Sequence, residues 1–395
     1  MSDYPHLTFS RRWTLNGRIQ RLLGECEAFV SAISNTPILP QIYGELKRVA
    51  FIKGAQSTTA IEGNTLTEEE IGRIDAGESL EPSKAYQEQE IKNILDALNT
   101  TFEWTLLGDE SIRVNKSLIL AFHKMVGKEL GEHFDAIPGE LRTDDRAVGP
   151  YRCPDYRLVD GLLDQLVEWL PKEFGFNRGR QTFDEAVVEA IVTHVYLEWI
   201  HPFGDGNGRT GRLLEFYILT RHGFPDVASH LLSNHYNRTR PEYYRLLNKA
   251  RTDNDLTQFI DYALVGLRDG LKATLLGVQQ SQRDTTWQKH IYDAFDKRPI
   301  KNKSVFKRRR NLALHLPTDR AIPTEKIPLV TPEIARDYGQ LSSKTLSRDL
   351  DVLLELELIT RDGNGVIANI GSISQFSARR RVQRHSTDPL LEEVG

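Results

Sequence analysis

Apolar residues recur at helix-length spacing through most of residues 15–280, with few β-branched alternations, and predict a mainly α-helical fold there. Three helices stand out. One runs from Glu45 to Ile61 and stops at Gly63-Asn64, a pair that tolerates left-handed backbone angles. Thr67 then caps a new helix, with Glu70 three residues on as its capping-box partner. A second clear helix, Phe183 to Ile200, is opened by Thr182 and Asp184 and rich in Ala, Val and Ile. It ends near His201, because Pro202 disfavours helical angles in the residue before it. The third starts near Gly208; its interior, Leu213 to Leu219, is apolar almost all round and marks a central core helix, ended by Gly223 and Pro225.

The pattern breaks between Gly139 and Asp155, where Asp144, Asp145, Gly149, Pro150 and Pro154 predict a short hairpin or flap. Composition shifts again after about Gln280. Residues 297–310, KRPIKNKSVFKRRR, hold eight Lys or Arg. From Pro328 to Ile370 the pattern reads helix, turn, helix, then a hairpin around Asp362-Gly363-Asn364-Gly365, a succession that resembles a winged helix. The end of the chain, from SARRRVQRHS on, reads as a mobile tail.

At 395 residues the chain is long for one core and predicts two or three domains. A net charge of −4 is too mild to imply a dedicated polyanion binder, and leaves room for a local basic patch. Cys26 and Cys153 are the only cysteines, far apart in sequence, which argues against a disulfide framework or a cysteine-built zinc site and suits a reducing cytosol. The opening MSDYPHLTFSRRW has no apolar segment of a secretory signal, and no run of about 18 apolar residues occurs. The expectation is a cytoplasmic protein without a membrane partner.

The chemistry concentrates in His201-Pro202-Phe203-Gly204-Asp205-Gly206-Asn207-Gly208-Arg209-Thr210-Gly211-Arg212. A buried helix delivers a histidine to its end, three glycines follow, and a second helix begins. Glycines free backbone N–H groups to face a ligand, and the helix N-terminus adds partial positive charge, so the loop predicts a phosphate cradle. Arg209 and Arg212, three apart, share a helix face and can clamp one polyanion. Asp205 makes sense in this cationic loop as a ligand of Mg²⁺, which takes one or two carboxylates plus phosphate oxygens. His201 can serve as general base. Phe203 and Trp199 are assigned to packing.

This stretch resembles the Fic family motif, His-x-Phe-x-Asp/Glu-Gly-Asn-Gly-Arg-x-x-Arg, with every fixed position filled. The resemblance implies a protein adenylyltransferase: the hydroxyl of a target Ser, Thr or Tyr attacks the α-phosphate of ATP, AMP is transferred, and pyrophosphate leaves with Mg²⁺. It implies that His201 is the base, Asp205 holds the metal and Asn207 orients the α-phosphate. Gly204, Gly206 and Gly208 line the phosphate loop, the last two lending amides. Arg209 steadies the leaving phosphates and Arg212 binds the γ-phosphate. It covers about residues 110–270. Within them residues 139–155 match the flap that pins a target segment by strand addition, and Tyr243-Tyr244 match an aromatic pair near the adenine, or else ordinary helix packing. Arg251 stands where some relatives have an asparagine near the adenine.

Thr58-Thr59-Ala60-Ile61-Glu62-Gly63-Asn64 fits the family's inhibitory pattern, Ser/Thr-x-x-x-Glu-Gly/Asn. The resemblance implies that Glu62, at a helix end, pairs with Arg212 in place of the γ-phosphate, with Thr58 and Gly63 completing the motif. The expected organisation is an N-terminal region with the inhibitory helix (1–109), a Fic core (110–280), a winged-helix-like domain (285–375) and a tail (376–395). Several readings stay open at this stage. They are a nucleotide-sensing regulator that binds DNA through 328–370, with Lys344 and Arg348 on one face; removal of AMP at the same site; self-modification; and a homodimer. A metal hydrolase built on His194, Glu198 and His201 is geometrically disfavoured, because His201 sits at the helix end.

Overall fold

The computed structural model describes residues 4–106, 113–175, 181–297, 299, 302–363 and 365–373. The chain forms two compact units, Met1–Gln279 and Gln280–Gly395.

In the first unit, helices α1 (Gly17–Ser34), α2 (Pro40–Ile61), α3 (Glu68–Asp75), α4 (Ala85–Leu106) and α5 (Lys116–Val126) precede a two-stranded hairpin, β1 (Ala147–Val148) and β2 (Tyr151–Arg152). After it come α6 (Tyr156–Glu173), α7 (Phe183–Ile200), α8 (Asn207–Arg221), α9 (Leu231–Arg238), α10 (Arg240–Asp253) and α11 (Thr257–Asp296), whose residues from Gln280 on belong to the second unit. The mainly helical expectation holds. Helix α2 begins at Pro40, a residue suited to the first helical turn, and so is longer than the apolar pattern suggested. The Thr67–Glu70 capping box is present, and Thr182 caps α7 with Glu185 as its partner.

Helices α7 and α8 pack against each other at the centre. Every residue of α8 from Asn207 to Thr220 is buried. Burial of Arg209, Arg212 and Glu215 is tolerated because each is partnered: Arg209 by Glu90 and Asp205, Arg212 by Glu62, Glu215 by the Tyr236 hydroxyl at 2.9 Å. One hydrophobic core takes side chains from α1, α2, α4 and α5 together with α7 and α8. The residues separated in sequence as 1–109 and 110–280 are therefore packed as one body.

The second unit has its own core around Trp287, Ile291, Leu312, Leu346 and Leu353. It runs α12 (Lys303–His315), β3 (Ile322–Pro323), α13 (Pro332–Tyr338), α14 (Ser343–Glu355), β4 (Ile359–Asp362) and β5 (Gly365–Ala368), its sheet ordered β3-β5-β4. Thr331 and Ser342 cap α13 and α14 through their side-chain hydroxyls. The strand β3 and the helix that absorbs much of the basic run were not foreseen. Asn364, part of the basic run and the tail 376–395 lie outside the described residues. Among the described residues no helix is long and apolar enough to cross a membrane.

Candidate active site

Helix α7 ends at His201, whose φ of 49° and ψ of 62° put a non-glycine residue in the left-handed region. Such a conformation persists only where the surroundings hold it. Here the His201 N–H donates to Leu197 O at 2.8 Å, and its carbonyl accepts from Arg142 Nε at 2.8 Å. Arg142 is buried and also donates to the carbonyls of Asp144 at 2.6 Å and Pro154 at 2.5 Å. Its backbone N–H reaches Pro202 O at 3.0 Å. One guanidinium thus ties both ends of the 139–155 flap to the histidine, a role the sequence reading did not give it. The flap is the expected hairpin, with Val148 opposite Tyr151 and Gly149 turning at φ +55°.

Burial holds the His201 imidazole down at about 4, the Glu198 backbone carbonyl opposing that shift, so the ring is neutral at physiological pH.

The loop after it is held by side chains. Phe203 is fully buried and stacks on His123, ring centres 3.7 Å apart and planes 5° from parallel. His123 Nδ1 accepts the Gly139 N–H at 3.0 Å, which places the ring proton on Nε2, donated to Asp205 O at 2.9 Å. Asn207 spends its amide on the Phe203 backbone, accepting from its N–H and donating to its carbonyl, both at 2.9 Å. It therefore fixes the loop, and one of its two amide protons is left over for a ligand. Gly206 turns the chain at φ +81°, where a Cβ would meet Phe134 at 3.0 Å.

Asp205 accepts from Arg209 Nη2 at 2.7 Å and from Gly206 N–H at 2.5 Å, both through Oδ1. The second oxygen of this one-third-exposed side chain suits Mg²⁺, which needs only one or two carboxylates beside phosphate oxygens and water. The other Nη of Arg209 is taken by Glu90.

Arg212 is enclosed by α2. Its Nε donates to Thr58 Oγ1 at 2.8 Å, its Nη2 to Thr58 O at 2.9 Å and to Glu62 Oε1 at 2.5 Å. The Arg212 side chain is 1% exposed and that of Glu62 32%. Burial pushes the Glu62 carboxyl up, but Arg212, then Arg209 and Arg240, outweigh it and hold it below the usual carboxylate range. A Cβ on Gly208 would lie 2.3 Å from Glu62 Oε1, so the carboxylate lies directly on the first turn of α8, where an anion would bind. Gly63, φ +103°, turns the chain just beyond.

The expected aromatic pair separates. Tyr243 is 1% exposed, and its hydroxyl bonds His194 Nε2 at 2.9 Å within a ring cluster that includes Tyr236 and Phe259. Its ring packs in the core, its centre 5.1 Å from that of Tyr244. Tyr244 is 41% exposed, beside Arg240, which donates to Ala60 O at 3.3 Å at the end of α2. Arg251 lies over the flap's Tyr151 ring at 4.7 Å. His194 is committed to Tyr243, and among the described residues no three His, Cys, Asp or Glu are grouped to hold a metal ion.

The Fic/DOC family model matches residues 113–219, a span that holds the flap, His201 and both arginines. The chain carries a Fic/DOC domain. Over 205 residues, 52% of this chain and 37% of its relative, it is 33% identical to protein adenylyltransferase fic-1 of Caenorhabditis elegans. Over 218 residues it is 28% identical to protein adenylyltransferase Fic of Nematostella vectensis, covering 54% of this chain and 46% of that one. The aligned region is thus less than half the length of these curated relatives. In fold, a Fic family protein from Desulfovibrio desulfuricans aligns with a TM-score of 0.55 at 22% identity, over 90% of this chain and 94% of its own. Fic-1 of C. elegans aligns with a TM-score of 0.54 at 24% identity, over 66% and 73%. The motif residues of the Fic/DOC domain are those brought together around α8; Arg142, His123 and Glu90, which support them, carry no local sequence signal.

Proposed function

We propose that this chain transfers AMP from ATP to a hydroxyl of a protein, and that it rests in a self-inhibited state. The observation that carries the reading is the Arg212 guanidinium, buried and bonded to Glu62 and Thr58 at the mouth of a Gly-rich helix N-terminus.

In the reaction, neutral His201 accepts the proton of the incoming hydroxyl. The oxygen attacks the α-phosphorus, and the bond to the bridging oxygen of pyrophosphate breaks. The Gly206 and Gly208 amides, the α8 N-terminus and the remaining Asn207 proton stabilise charge on the α-phosphate. Arg209 and Arg212 neutralise the leaving pyrophosphate. Mg²⁺, held by Asp205, would supply further charge neutralisation on the phosphates. The target hydroxyl reaches the site along the β1–β2 flap; a segment of this chain or of a second copy is an alternative occupant.

In the resting state Glu62 holds the Arg212 guanidinium that the γ-phosphate needs. ATP then binds without its terminal phosphate seated, and the α-phosphate is misaligned for attack. ATP labelled at the α-phosphate should mark protein, and ATP labelled at the γ-phosphate should not. Label from the γ-phosphate alone would replace AMP transfer with phosphoryl transfer.

For the second unit a winged-helix docking role is the better reading. Asp349, on α14, is buried and accepts from Arg308 Nε at 2.8 Å and Arg309 Nε at 2.6 Å. Two cations of the basic run thus stabilise the unit itself rather than facing a polyanion. Lys344 and Arg348 remain exposed on α14. Retention on duplex DNA that falls steeply with salt would restore the regulator reading.

A further inference from the structure

Glu90, on α4, has no part in the chemistry above, yet it bonds both the turn that follows Glu62 and the Arg209 guanidinium of the phosphate site. Its Oε1 accepts from Arg209 Nη1, and its Oε2 accepts from Asn64 Nδ2 at 3.0 Å. Asn64 follows Glu62 by two residues, and every arm of it is used. Nδ2 also reaches Gln87 O at 3.1 Å, Oδ1 accepts the Leu66 N–H at 3.0 Å, and its own N–H returns to Thr59 O at 3.1 Å. Glu90, Asn64 and Arg209 are 5%, 8% and 3% exposed, so this chain of bonds is closed to water. Both groups bonded to the carboxylate are donors. An amide in its place would turn an NH₂ toward one of them and lose that bond.

We propose that Glu90 is a positioning residue with two duties: it fixes the Asn64 turn that presents Glu62 to Arg212, and it orients Arg209 toward the leaving phosphates. The kinetic side rests on the AMP-transfer reading; the structural side does not. Asn64→Ala severs the first duty alone, whereas Glu90→Gln weakens both, since its NH₂ loses the bond to Asn64 and its missing charge weakens the pair with Arg209.

The test combines labelling from α-labelled ATP, calorimetric binding of Mg-ATP and amide exchange, each on the full chain. Asn64→Ala should raise labelling by about tenfold in the otherwise wild-type chain and leave it unchanged beside Glu62→Gly. Glu90→Gln beside Glu62→Gly should lower labelling, and weaken Mg-ATP binding, by about tenfold. Amides of residues 62–66 should exchange faster in both Asn64→Ala and Glu90→Gln, whatever the activity. Unchanged exchange at 62–66 would overturn the first duty. Undiminished Mg-ATP affinity in Glu90→Gln/Glu62→Gly would overturn the second. If Glu62→Gly itself transfers no AMP, the function reading fails, while exchange and binding still decide the role of Glu90.

Discussion

At the scale of single residues, Gly204 shows how little room the phosphate loop leaves. A Cβ there would lie 2.2 Å from the Asp135 carbonyl oxygen, a backbone atom that cannot swing away. Gly204→Ala should therefore cost about 1–3 kcal/mol of stability and displace the loop, lowering AMP transfer in the Glu62→Gly chain. A thermal melt equal to the parent's would contradict this. The loop was legible in the sequence because its parts lie within twelve consecutive residues, each with a distinct chemical need. Between the two readings of Tyr243 and Tyr244 the sequence could not decide: adjacent residues of a helix point about 100° apart, and which of them turns into the core depends on what packs against it. Glu90 was invisible because its partner Arg209 is 119 residues away and nothing local distinguishes it from an ordinary helical glutamate.

Among the elements, the flap depends on one side chain. Arg142 donates to three carbonyls, of His201, Asp144 and Pro154, and so couples the hairpin to the end of α7. A lysine offers a compact ammonium where the planar fork of an arginine reaches several acceptors at once. In the Glu62→Gly chain, Arg142→Lys should lower kcat at least about tenfold and raise KM for the protein target. A change confined to stability would assign Arg142 to packing alone. Hairpin and core helices were readable from turn residues and apolar period. The β3 strand was not, because two residues carry no alternation and its pairing with β5 is made across the fold. The burial of Asp349 against Arg308 and Arg309 is a tertiary fact with no local signal.

For the molecule as a whole, buried histidines set the response to acid. Burial, the leading cause in each, lowers His6, His123, His201, His222, His230 and His235 to about 4 and His194 to about 3. Below the ordinary value of 6.5 the unfolded chain binds protons that the folded chain refuses, so stability falls as pH drops from 6.5 toward 4. Glu198, raised to about 7, and Glu215, raised well above its usual range, act with the opposite sign, since the folded state keeps their protons. Burial also raises Glu90, Asp184 and Glu189, and the seven imidazoles outweigh these five carboxyls. Tm should decline steadily below pH 6.5; a Tm that rises or holds to pH 4.5 would contradict it. The change of composition near Gln280 lies where the two compact units meet. Helices of 1–109 share a hydrophobic core with α5, α7 and α8, and an amphipathic helix reveals its apolar face but not which neighbour covers it.

The central claim is that Glu62 restrains a transferase whose base is His201. The most direct measurement compares protein labelling from α-³²P-ATP and Mg²⁺ in the wild-type chain, Glu62→Gly and Glu62→Gly/His201→Ala. The expected result is weak label in the wild type, about 10²- to 10³-fold more in Glu62→Gly from breaking the Arg212 pair, and none in the double variant. Equal labelling of wild type and Glu62→Gly, or label that survives His201→Ala, would contradict the account.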